Sequence, residues 1–241
     1  MIAAIILYEL KRRLTHWSSP VIFLVMIFQG VWYTKATFDY YVNEDMLMNA
    51  SGIFYKNLSA GGVLMVIIVA MITGTVLMKE LDHKTGQWTF TLPVKEKHFF
   101  LSKFFSAYFI NVILGIGYPL GMLLTPYVGI ADAGRFGPAP FGPLFHGYLV
   151  GLMPTLFIVN CAVFAAIVQF RSMGSSYLAV IVLTILFQAG DAVSLSDGYT
   201  PAAQLLDPLS YVATGASVNE MSVVQKNSGY QQVINSISLP G

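Results

Sequence analysis

From Met78 to His98 the chain reads Met-Lys-Glu-Leu-Asp-His-Lys-Thr-Gly-Gln-Trp-Thr-Phe-Thr-Leu-Pro-Val-Lys-Glu-Lys-His, its longest charge-dense run, with long apolar segments on both sides. Other residues that could do chemistry are sparse. His16, His83, His98 and His146 are scattered and lack the paired spacing of metal ligands, so they read as interfacial or structural. The chain has no His-Glu-x-x-His and no glycine-rich phosphate loop ending in Lys-Ser/Thr, so it does not bind ATP by that device. No Ser/His/Asp set presents itself. Cys161, the lone cysteine, lies in an apolar window; it permits neither a disulfide framework nor a cysteine-rich metal site and reads as a small buried hydrophobe. Asn49-Ala50-Ser51 and Asn57-Leu58-Ser59 match a glycosylation pattern short enough to arise by chance.

The elements that position the charged run follow from composition. Hydrophobic residues make up 56% of the chain and charged residues only 10%, at a mean hydropathy of +0.66. A soluble domain carries about 25% charged residues, and several windows here exceed the roughly 18 uncharged residues that span a bilayer as a helix. The expected class is an all-α polytopic membrane protein in a single transmembrane domain over 1–241. A net charge of +1 implies no nucleic-acid partner.

In chain order, residues 1–17 place Ile2, Ile6, Leu7, Leu10, Leu14 and Trp17 on one side of a helical wheel, with Glu9, Arg12, Arg13 and His16 on the other. That is an amphipathic helix lying in the membrane interface. Its basic residues follow the apolar stretch rather than precede it, unlike a cleaved signal. Spans are expected at 18–34, 58–78, 104–127, 143–170 and 176–190, with a water-exposed loop at 79–103 and an outer segment at 191–241. Inner segments then hold Lys11, Arg12, Arg13, Lys79, Lys84, Lys95, Lys97, Lys103 and Arg171, and outer segments hold only Lys35, Lys56, Arg135 and Lys226. This asymmetry puts the N-terminus in the cytoplasm of a multi-pass protein of the inner (cytoplasmic) membrane. Apolar runs in the outer segment, 202–206 and 209–213, are short enough to dip into the bilayer as re-entrant pieces.

The spans are nearly free of ionisable residues, so an ion-coupled relay has no candidate. Asn111 and Asn160 are the polar residues nearest mid-span, suited either to interhelical hydrogen bonds or to lining a pathway for a polar or amphiphilic substrate. Gly117/Gly121 and Gly147/Gly151 form two Gly-x-x-x-Gly pairs that allow close helix approach, within one subunit or between subunits.

The order of residues in the charged loop resembles the inner loop of ABC-2 type permeases, the membrane subunits of one class of ATP-driven exporters. Glu80, Gly86, Leu92, Pro93, Val94, Leu101 and Lys103 match that family's pattern. Gln87 stands in place of its Thr, Lys95-Glu96 in place of Ser-Arg, and Ser102 in place of Gly. An interfacial N-terminal helix, a long first outer loop, and re-entrant pieces after the fifth span are similar to the family as well. The resemblance covers roughly residues 1–225, and Asp207-Pro208 and Asn219-Glu220 are similar to the outer segment of long permeases of the group. The family's sixth span is missing, which leads to the expectation that this chain is an N-terminal fragment.

The resemblance implies that the loop contains a coupling helix on which a separate ABC ATPase subunit docks. The expected partner-binding residues are Glu80, Gly86, Trp88, Phe90, Leu92, Pro93, Lys95, Lys97 and Lys103, with aromatics to grip and charges to orient. The chain itself carries no cofactor, because ATP and Mg would be held by the partner. The expected partners are that ATPase, a second permease half in a homo- or heterodimer, and membrane lipids. A different class of function, a non-transporting scaffold or sensor whose inner loop binds a cytoplasmic protein, would lack an ATPase encoded beside it. An intramembrane enzyme would need a catalytic pair within the spans, and none is seen. The substrate is not readable.

Overall fold

The computed structural model describes residues 2–40, 46–82, 96–129, 132–139, 141–197, 200–219 and 221–227. Among them there is no strand, and the fold is all-α. Five helical stretches are long and apolar enough to cross a membrane: Ser18–Thr37, Ser51–Met78, Lys97–Tyr127, Phe141–Phe170 and Gly174–Ser196.

Helix α1, Ile2–Leu14, ends in Lys11, Arg12 and Arg13, basic residues that suit the negative end of the helix dipole. A short turn, with His16 Nδ1 2.9 Å from Ser18 Oγ, leads into α2, Ser18–Tyr40. Pro20 falls in its first turn, where a missing N–H costs nothing. Helix α3, Ser51–Asp82, is 32 residues long. Its ends extend past the expected 58–78 because hydropathy marks where a helix enters lipid, not where its backbone hydrogen bonds stop. The same holds for α4, Glu96–Gly115, which begins eight residues before the expected span, inside what reads as loop.

The third span then breaks at Ile116 and resumes as α5, Gly117–Leu124, capped by a 3-10 turn at Thr125–Tyr127. Pro119 explains the break, since it has no N–H to give the Gly115 carbonyl. A comparable interruption follows α6, Phe141–His146. Residues Gly147–Leu152 form a π-helical turn in which the Met153 N–H reaches the Tyr148 carbonyl, before α7 runs Met153–Phe170. Pro154 sits just beyond and cannot donate to Val150, which loosens the ladder there. Arg171, in the left-handed region at φ 49°, ends α7 with its N–H 2.7 Å from the Ile167 carbonyl. Helix α8, Gly174–Asp197, follows.

Beyond the last span, α9 (Pro201–Leu206) folds back on α8, and a Cβ on Gly190 would lie 2.9 Å from the Ala203 carbonyl. Helix α10 (Tyr211–Asn219) packs on α3, and α11 (Val223–Asn227) follows it. The Asp207 carboxylate joins α9 to α10 by accepting the N–H groups of Leu209 at 3.0 Å and Val212 at 2.6 Å. Burial raises the pKa of this carboxyl against the lowering effect of those bonds.

Helix α3 is the hub. Its Leu58, Met65, Val66, Val69, Ala70 and Leu77 pack with Tyr118 of α5, Leu156 and Val163 of α7, and Leu183 of α8. By contrast α2 and α8 expose Leu24, Phe28, Trp32, Ile181, Val182 and Ile185, as helices bordering lipid do. Asn57 is buried within α3, and the Asn49 side chain bonds Gly137 and Pro138. Both glycosylation patterns are therefore structural in this fold. Cys161 is only partly buried, where its apolar window led to the expectation of a small buried hydrophobe.

Candidate functional site

One end of the bundle carries α1, the end of α3 and the start of α4; residues 83–95 connect the last two. Glu80 lies in the final turn of α3, and Lys97 is exposed in the first turn of α4. Phe99 and Phe100 meet edge to face with ring centroids 5.8 Å apart. Gly86, Trp88, Phe90, Leu92, Pro93 and Lys95 lie outside the described residues.

Lys103 departs from its expected role at a partner surface. It is a buried residue of α4, and its Nζ sits 2.6 Å from Glu9 Oε1 and 5.5 Å over the Phe99 ring. Arg12 Nη2 approaches the other Glu9 oxygen at 2.7 Å. Helix α1 thus does not lie with its whole polar face in water. Glu9 turns inward against α4, while Leu7 and Tyr8 are exposed. The physical reason is that each buried charge finds its counter-ion in the other, since neither could be buried alone. The pairing joins residues 94 positions apart, so local pattern did not reveal it. The signal that could have found it was Glu9 as the lone acid of α1 and Lys103 as a lone base within an aromatic, apolar stretch. Beside this pair, Arg13 keeps Nε and Nη2 without hydrogen-bond partners, and its pKa is pushed down by burial and by Arg12, against the opposing pull of Glu9.

Midway through the bundle Asn111 and Asn160 converge on Thr73 of α3. Thr73 Oγ1 donates to Asn160 Oδ1 at 2.7 Å, and Asn111 Nδ2 donates to Thr73 Oγ1 at 3.4 Å. Asn160 Nδ2 reaches the Phe104 carbonyl at 3.4 Å. All three polar residues are buried. They bind α3, α4 and α7 together, the bridging role that was one of their two expected uses.

Gly117 and Gly121 face α2. A Cβ on Gly121 would lie 2.1 Å from the Ile27 carbonyl, and one on Gly117 would lie 2.8 Å from the Phe23 carbonyl. Gly30 returns the contact, 2.1 Å from the Tyr118 carbonyl. This pair therefore serves packing within one chain. In the second pair, Gly147 makes room for Leu58 and Tyr55, whereas a Cβ on Gly151 would meet nothing within 4 Å. Gly151 borders a cavity of about 390 Å³ at the end of the bundle away from α1, between α3, the π-helical turn and α10. Tyr55 Oη and His146 Nδ1 stand 2.7 Å apart on its wall.

A family model described as ABC-2 family transporter protein matches residues 7–190, from within α1 to within α8, through four candidate spans and into the fifth. The chain belongs to this family. Comparison with curated proteins and with solved structures found no match. As an ABC-2 chain it is a membrane-embedded transporter permease, and α1, the charge pair with Lys103 and the glycine crossing all fall inside the matched residues. Helices α9, α10 and α11 lie beyond them.

Proposed function

We propose that this ABC-2 chain is the permease subunit of an ATP-driven exporter of the cytoplasmic membrane. A separate ATPase docks on residues 79–103, holds ATP and Mg²⁺ itself, and drives two permease halves between inward-open and outward-open states. The N-terminus and the 79–103 loop lie in the cytoplasm, in accord with the lysine and arginine asymmetry. The observation that carries the reading is the buried Glu9–Lys103 pair at 2.6 Å. It fastens the interfacial helix to the first turns of α4, the helix that the loop enters. A push on the loop then moves α1 and α4 together instead of being absorbed by a hinge between them. Trp88, Phe90, Leu92 and Pro93 supply the grip for the ATPase, and Glu80, Lys95 and Lys97 set its orientation.

The test is co-expression with candidate phosphate-loop ATPases from the same genome, followed by reconstitution. Wild type retains the ATPase through purification and shows coupled turnover. Trp88→Ala and Phe90→Asp insert normally but lose that coupling. Normal turnover in both variants, or an absence of any bound ATPase, overturns the reading in favour of a scaffold or sensor.

A further inference from the structure

Glycine in a membrane helix ordinarily marks a close approach, and Gly30, Gly61, Gly74, Gly115, Gly117, Gly121 and Gly147 all conform, each with a neighbour that a Cβ would meet at less than 3 Å. Gly151 does not. It lies in the π-helical turn that Pro154 loosens, and it adds open volume to the 390 Å³ cavity. Leu58, Gly147 and Thr155 form the buried floor, while Val150 and Pro154 are exposed at the rim within a span, so the mouth opens sideways toward lipid. Ser210, at φ 60°, closes the wall from the α10 side. Such a backbone is held only where its surroundings enforce it.

The polar atoms narrow the ligand. No Lys, Arg, Asp or Glu lines the cavity. Five hydroxyls and the His146 imidazole do; Ser59 gives its proton to the Lys56 carbonyl at 2.8 Å, Thr155 to Gly151 at 3.1 Å and Thr214 to Ser210 at 2.6 Å, while Tyr55 Oη lies 2.7 Å from His146 Nδ1. Each oxygen keeps lone pairs, so these groups offer acceptors to a ligand. An acceptor-rich phosphate finds no lysine or arginine there, and Tyr55 and His146 are already engaged with each other. A glycerol or sugar hydroxyl, which brings its own protons, is matched.

We propose that this cavity is a binding site, entered from the bilayer, for an amphiphile with one hydrocarbon chain and an uncharged hydroxyl-bearing head. Its place in the permease deepens the exporter reading by naming a substrate class, and it rests on that reading only for the step of transport.

The test uses the purified chain in phosphatidylcholine nanodiscs and a monoacylglycerol carrying a photoreactive diazirine in its chain. Labelling is expected on the peptides holding Leu58, Val150 and Pro154. Gly151→Phe fills the open volume and loses that labelling with an unchanged melting midpoint, and Val150→Trp, at the rim, does the same. Ile181→Phe, on the lipid face of α8, retains it. Unlabelled monoacylglycerol competes, whereas lysophosphatidylglycerol of equal chain length does not. Labelling that survives both cavity variants, that spreads evenly over α2 and α8, or that is absent because a second copy or another part of the chain covers the mouth overturns the proposal. Equal competition by the two lipids overturns the assignment of the head. These readouts need no ATPase, so their failure is separate from failure of the coupling experiment.

Discussion

Two Gly-x-x-x-Gly pairs with the same spacing are used differently in this protein. Gly117 and Gly121 press α5 onto α2 until main chain touches main chain, whereas in the other pair Gly147 packs on Leu58 and Tyr55 and Gly151 opposes nothing. The spacing licenses close approach, but a neighbouring helix must arrive to use it. Helix α2 crosses α5 and brings Gly30 to the meeting point. The π-helical turn instead swings Gly151 toward a gap between α3 and α10. Identical sequence signals therefore mark a seam in one place and an opening in the other.

Breaking the seam should have the largest effect. Gly121→Leu forces a side chain into the Ile27 carbonyl, beyond the roughly 1–3 kcal/mol typical of overpacking. No monodisperse protein is expected from size-exclusion chromatography in detergent, and a normal elution profile would remove the seam from this account. The charge pair tests whether the bundle has a second closed contact of comparable strength. Glu9→Met strands the buried Lys103 ammonium and should cost about 3–5 kcal/mol, while Glu9→Met with Lys103→Met should recover most of it. Thermal unfolding of the two single variants and the double variant checks this, and additive losses would contradict it. In the buried polar cluster, Thr73→Val removes the bond to Asn160 and should cost about 0.6–1.7 kcal/mol by the same measurement. At the open end, Gly151→Ala should leave stability unchanged or raise it by up to about 1 kcal/mol, since alanine is the better helix former and nothing stands in its way. A loss as large as that for Gly121→Leu would erase the contrast between the pairs.

The class of fold was legible at once. Low charge and long apolar windows leave a helical bundle as the form that satisfies the backbone in lipid. Span order was legible too: each expected span falls within one of the five candidate spans among the described residues, although the third and fourth are interrupted helices. Helix ends were not, because Lys97 and Lys56 sit comfortably on helices that have left the apolar zone. Asn111 and Asn160 stood out as the mid-span polar residues, yet their partner Thr73 was only a mild feature of its segment. Lys103 stood out as the lysine of the family pattern at the end of the 79–103 stretch. Its loop-like neighbours suggested exposure, and only the docking of α1 turned it inward.

The sequence by itself determined the membrane class, the five candidate spans among the described residues and the family, because these depend on composition and order along the chain. Tertiary structure decided which glycines touch, where Glu9 goes, and that a cavity remains beside Gly151. Those outcomes depend on how helices cross, and a crossing is set by the summed packing of residues far apart in the chain, which a local pattern does not encode.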